Sequence, residues 1–192
     1  MAKEKEATKA KGVLFLKEVR LAFPDVFEAV EYEVGDGKPR YNATFLMEPG
    51  SENDEKVNAL IEEMAAEKFG KGAAKLLEAW KGNPNKHCYI DGNLKEYDGF
   101  APMMALSAHR KKNGGPPTII DRDRSKIEPE SGKIYGGCYV NASVSIYVQG
   151  GRLALNSSHV VGNSATQTAG GIGVVGGASP ARHRADHDDE GG

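Results

Sequence analysis

The sequence is poor in cysteine. Cys88 and Cys138 are the two it has, too few for a disulfide scaffold or a four-cysteine zinc site. No apolar run approaches the roughly 18 residues that a membrane span needs. The opening stretch, MAKEKEATKAKG, lacks the apolar segment of a secretory signal. A soluble, cytoplasmic chain is expected. Charge of one sign is also scarce, with a formal net of −2 over 192 residues. Hydrophobic residues make up 39%, below the roughly 45–50% of an average domain, so part of the chain is expected to stay outside any core.

That part is the C-terminal end. Residues 150–192 hold 10 of the 24 glycines, and from Gly162 onward there is no aromatic residue. Such a stretch cannot bury enough apolar area to offset its ordering entropy. Residues 162–192 are expected to form a disordered glycine-rich tail, closing on the acids Asp186, Asp188, Asp189 and Glu190. Residues 1–11 are expected to form a flexible basic arm. Between them, 12–161 is the expected folded domain. Its charges are segregated: residues 109–126 carry a local +4 and residues 51–70 a local −4.

Within the domain the periodicity is mostly that of strands. VLFLKEVRL (13–21) and RYNATFLM (40–47) read as strands, and Pro49-Gly50 stops the second. Ser51 is a good N-cap for a helix with Val57, Leu60, Ile61, Met64 and Ala65 on one face and Gly70 as its stop. A short helix over 73–80 would pack Leu76, Leu77 and Trp80. Strands follow at 86–90 and 103–111, then a Gly-Gly-Pro-Pro loop (114–117) and TIIDRDR. In CYVNASVSIYVQ (138–149), Cys138, Val140, Ala142, Val144, Ile146 and Val148 alternate with polar and tyrosine positions, one face core and one wet. The pattern predicts a mainly β, α+β fold: a five-stranded OB-fold-like barrel with inserted helices. A less specific α+β sandwich fits the periodicity nearly as well.

Motifs for catalysis are weak. Gly171-x-Gly173-x-x-Gly176 spells a dinucleotide fingerprint, but the chain ends too soon after it for the helix, strand and ribose-binding acid that must follow. Asp121-x-Asp123 could centre a metal-dependent nuclease if further carboxylates converged on it; alternating charge in a solvated strip explains IDRDR more simply. His87 and Cys88 are sequence neighbours and would point to opposite faces of a strand, so both cysteines are expected to be buried and inert. No cofactor, metal or catalytic residue is expected.

Binding is better supplied. An unpaired nucleic acid strand needs cations along its phosphates and flat rings against its bases. Tyr139 and Tyr147 occupy the polar face of the clearest strand, Tyr97 and Phe100 sit in the loop KEYDGF, and Tyr135 precedes Gly136-Gly137. Lys38 and Arg40 are expected to point outward. Arg110, Lys111 and Lys112 flank the Gly-Gly-Pro-Pro loop on one side and Arg122 and Arg124 on the other. A hairpin through that loop would join them in one basic ribbon.

YNATFLM, YDGF, IIDRDRSKI and YGGCYVNASVSIYVQ also resemble, in order and spacing, a family of bacteriophage single-stranded DNA-binding proteins with an OB-fold. The resemblance covers roughly residues 12–160. It implies sequence-independent coating of single-stranded DNA in phage replication or recombination. Duplex DNA also carries phosphate, so weaker binding of duplex is expected beside it, and self-association on DNA is a further expectation. The acidic end resembles the tails with which phage and bacterial proteins of this kind recruit replication enzymes. Such a tail would also compete with DNA for a basic groove.

Overall fold

A computed structural model describes residues 12–31, 37–149 and 152–163, with Gln149 and 152–163 described by backbone alone. The expected arm 1–11, all but the first two residues of the expected tail, and the glycine fingerprint lie outside the described residues.

The strands are β1 (Val13–Val30), β2 (Arg40–Met47), β3 (Tyr89–Asp91), β4 (Met104–Lys111), β5 (Thr118–Ile120), β6 (Tyr139–Gln149) and β7 (Arg152–Asn163). Helices α1 (Glu52–Phe69) and α2 (Ala73–Trp80) lie between β2 and β3. The strands form one sheet in the order β3-β4-β2-β1-β6-β7-β5, antiparallel throughout except for the parallel β5–β7 pair. Five strands are long; β3 and β5, three residues each, extend the two edges. The sheet curls until β4 meets β7, the OB-like barrel with inserted helices that the pattern predicts.

Curling begins in β1. It runs past the expected end at Leu21 to Val30, and its register slips three times: against β6 between Leu16 and Val19, and against β2 between Ala22 and Asp25 and between Asp25 and Val30. Glu18 and Phe23 sit at the first two breaks, each with φ of 50°. Extra residues of this kind bend a strand and increase its twist. A bulge also strands backbone groups, which must find partners elsewhere. The Lys17 N–H donates to Asn53 Oδ1 at 3.1 Å and its carbonyl accepts from Asn53 Nδ2 at 2.8 Å. The Glu18 N–H donates to Asn141 Oδ1 at 2.8 Å.

The barrel interior follows period-2 alternation. Leu14, Leu16, Val19 and Leu21 face Phe45, Leu106, Val140, Ala142, Val144 and Ile146, with Val57 and Ile61 of α1 closing one end. Each fully buried side chain of this size contributes about 1.5–3 kcal/mol relative to exposure. Helix α1 starts and stops where its sequence says. The Ser51 side chain accepts from the Asp54 N–H, Glu52, Asp54 and Glu55 load the first turn, and Gly70 ends it at φ 55°. Asp54 also accepts from the Tyr89 hydroxyl at 2.6 Å, tying β3 to the helix. Trp80 packs edge-on against Phe69 at 5.5 Å, as a core residue. Cys88 and Cys138 are buried; burial pushes the Cys88 thiol up to about 12, leaving no thiolate at neutral pH.

Two expectations fail. The strand expected at 86–90 begins only at Tyr89, because the Asn83 carbonyl and side chain accept backbone N–H groups from Asn85, Lys86 and His87 and hold a turn. And β4 and β5 are not a hairpin: β4 pairs with β2 and β3, while β5 pairs with β7.

Candidate nucleic-acid interface

Directly paired residues of antiparallel strands share a face, so the register defines the outer surface. Across β1, β2 and β4 its rows are Arg20–Leu46–Ala105, Ala22–Thr44–Ser107, Asp25–Asn42–His109 and Val30–Arg40–Lys111. Tyr139 of β6 lies opposite Arg20.

The loop between β3 and β4 folds over part of this face. Gly92 donates its N–H to the Met103 carbonyl at 2.8 Å. A Cβ at Gly92 would lie 2.2 Å from the Phe100 carbonyl oxygen, so only glycine permits the closure. Beneath the loop, Phe100 packs with Leu46, Ile90 and Ala105 in a second apolar cluster, on the side of the sheet away from the main core. The Arg20 guanidinium donates to the Gly99 carbonyl and straps the loop to β1. Phe23 and Tyr97 cap the cluster, their rings edge-to-face at 4.9 Å and lying 5.7 and 5.3 Å from Phe100.

This arrangement corrects one expected base-stacking ring. Phe100 is 4% exposed, with both neighbouring aromatics above it, and belongs to the fold. Tyr97, at 53%, Tyr139, at 49%, and Tyr135, at 54%, stand on the surface. Tyr135 lies at the Tyr139 end, where the Gly137 N–H donates to the Leu21 carbonyl. Tyr147 shares the outer parity of β6 but lies eight residues from Tyr139, roughly 26 Å along a strand. It is half-buried and apart from the other three rings.

The cations divide. Lys111 faces outward opposite Arg40, and the Lys112 N–H donates to the Pro39 carbonyl, placing the Lys38 and Lys112 segments side by side. Arg110 pairs with Tyr41, which is buried, and so belongs to the opposite face. Its Nε donates to the Gly115 carbonyl at 2.9 Å and its Nη2 to the Gly114 carbonyl at 2.6 Å, so it braces the glycine loop. Arg122 and Arg124 are exposed on the turn after β5. The hairpin expected to join these cations in one ribbon does not form, since β4 pairs with β2 and β3 and β5 with β7.

The carboxylates of that turn are occupied with holding it. Asp121 pairs with Lys133 and accepts from the Arg122 N–H; Asp123 accepts from the Ser125 N–H and hydroxyl. These donors, Lys133 first for Asp121 and the Ser125 hydroxyl first for Asp123, keep both carboxyls below their ordinary range. Among the described residues no three His, Cys, Asp or Glu side chains are grouped to hold a metal. No described helix is long and apolar enough to cross a membrane.

Sequence reasoning passed over two residues of this surface. Arg20 and Phe23 link its parts: Tyr139 adjoins Arg20, Arg20 holds the loop carrying Tyr97, and Tyr97 touches Phe23. Phe23 in turn borders Asn42, Thr44, Ser107 and His109. Two residues further along β2 and β4 come Arg40 and Lys111. The result is one strip of rings, polar groups and cations.

The fold is that of known DNA-binding proteins. The single-stranded DNA-binding protein of bacteriophage Enc34, solved in complex with single-stranded DNA, superposes with a TM-score of 0.62 at 24% identity, over 81% of this chain and 92% of that one. The single-stranded DNA-binding protein gp2.5 of bacteriophage T7 superposes at 0.51 with 13% identity, over 88% and 100%. In sequence, protein p50 of Acyrthosiphon pisum secondary endosymbiont phage 1 is 42% identical over 135 residues, 69% of this chain and 71% of that protein. The strands that build the strip also carry a family signature: residues 13–167 match the profile of the Enterobacter phage Enc34 ssDNA-binding protein, and the chain belongs to that family.

Proposed function

We propose that the chain binds single-stranded DNA without sequence preference along this outer strip, coating and protecting it during phage DNA replication or recombination in the host cytoplasm. One observation carries the reading: exposed rings and cations far apart in sequence share one face of the sheet. Tyr97, Tyr135 and Tyr139 stack on bases, while Lys38, Arg40, Lys111 and Lys112 neutralise phosphates. Arg122 and Arg124 form a second phosphate contact, and a strand running the length of β6 reaches Tyr147. Hydroxyls and amides between the rings adapt to any base edge. Duplex DNA binds more weakly, because its stacked bases offer no free faces. The protein needs no cofactor and performs no chemistry on the strand.

Salt tests the electrostatic half. Titrating labelled oligo-dT at several salt concentrations should give a log–log slope of about −0.7 per phosphate neutralised. Replacing Lys111 and Lys112 with alanine should make that slope shallower by roughly 1.4. An unchanged slope would place the DNA elsewhere.

The domain plan of the proposal is a basic arm (1–11), a DNA-binding barrel (12–161) and a tail (162–192). Asp186, Asp188, Asp189 and Glu190 of the tail recruit replication proteins and compete with DNA for the cations. Deleting residues 181–192 should tighten oligo-dT binding, most strongly at low salt where charges act at longer range. Weaker binding after the deletion would contradict the competition.

A further inference from the structure

We infer that Phe23 and the pocket beside it form a subsite for one unpaired nucleobase, an inference that rests on the single-stranded DNA reading and adds to it a residue and a place. Phe23 is an anomaly of the fold. Its φ is 50°, in the left-handed region that glycine enters freely and bulky side chains rarely adopt. Its ring is 45% exposed, so burial of the ring does not explain why a phenylalanine stands where glycine would be easier. Strain of this kind gathers where a side chain must be held in one place for a task.

The surroundings define the task. The Phe23 ring is held edge-to-face with Tyr97 at 4.9 Å and tilted against Phe100 at 5.7 Å. Elsewhere the ring walls an open pocket of about 220 Å³ lined by Asn42, Thr44, Ser107 and His109, with Ala43 and Ala108 completing it. The Asn42 Nδ2 donates to the Arg40 carbonyl at 3.1 Å, which holds that amide in place. An aromatic wall over a floor of rotatable hydroxyls and an amide suits a flat heterocycle with polar edges. It discriminates little among bases, because hydroxyls both donate and accept. Arg40 and Lys111 follow two residues along their strands, roughly 6.6 Å away, where the phosphate attached to a bound base would reach. The ligand is therefore a nucleotide within a strand, base on Phe23 and phosphate on the cation pair.

Phe23→Gly tests this directly, because glycine keeps the bulge without strain. Its affinity should be measured for oligo-dT and for an abasic phosphodiester chain of the same length. Stacking predicts a loss of about tenfold on oligo-dT and little change on the abasic chain. An equal loss on both, or none on either, would overturn the assignment. Phe23→Trp supplies a readout independent of stability, since the single native tryptophan, Trp80, is buried. Fluorescence of the new indole should be quenched by oligo-dT and not by the abasic chain; indifference to both would also overturn it. Failure of the wild-type chain to bind oligo-dT at all is a different result, which would refute the DNA reading itself.

Discussion

Replacing Tyr97 and Tyr139 together with alanine should lower affinity for oligo-dT by on the order of a hundredfold while leaving the barrel folded. A base stacked on a protein ring contributes about 1–3 kcal/mol, so two such contacts amount to about 2–6 kcal/mol, and a hundredfold loss, about 2.8 kcal/mol, lies in the lower part of that range. Both rings are about half exposed; Tyr139 stands outside both apolar clusters, while Tyr97 caps the one that holds Phe100. Tyr139 should therefore cost little stability, within about 0.5 kcal/mol for a surface site. Tyr97 adds its ring contacts with Phe23 and Phe100, each worth about 0.5–1.5 kcal/mol. Fluorescence anisotropy measures the first effect and a thermal melt the second. Unchanged affinity in a folded double variant would remove the rings from the interface.

The two tyrosines work together only because of what lies between them. Arg20 stands opposite Tyr139 and straps the loop that carries Tyr97. The β1 bulge at Phe23 turns a third ring to the same side. Bulges that let a sheet curl into a barrel thus also decide which side chains its outer face presents.

How much of this was readable follows from how local each feature is. The start and stop of α1 rest on Ser51 and Gly70, the wet and dry faces of β6 on strict alternation, and the packing of Trp80 on helical spacing. Each is decided within a few residues, and each is found as expected. Strand pairing is decided by the whole sheet. The Gly-Gly-Pro-Pro loop has hairpin composition, yet β5 reaches across to β7. The bulges were equally hidden, since both positive-φ positions carry residues other than glycine. Two signals were present and pointed the right way. Alternation separates Arg110 from Lys111, so the basic triplet never was one surface. Phe45 and Leu46 are adjacent and both apolar, which marks a strand covered on both sides; the cover over Leu46 is the loop that buries Phe100.

That cover gives the second large effect. Phe100→Ala should destabilise the protein by about 3–5 kcal/mol, the usual range for emptying an aromatic site, because the ring fills the space between Leu46, Ile90 and Ala105. DNA affinity should fall as well, through loss of the platform under Tyr97 and Phe23 rather than through a lost stack. The leucine variant separates these routes. A second apolar side chain in the same cavity costs less than about 1.5 kcal/mol when volume is largely kept, and it holds the loop in place. Phe100→Leu should therefore recover most of the stability, read by chemical denaturation, and most of the oligo-dT affinity. A ring that stacked on a base has no substitute in leucine, since the flat face would be gone. A leucine variant that regained stability but not affinity would restore Phe100 to the interface and show that the loop opens when DNA binds.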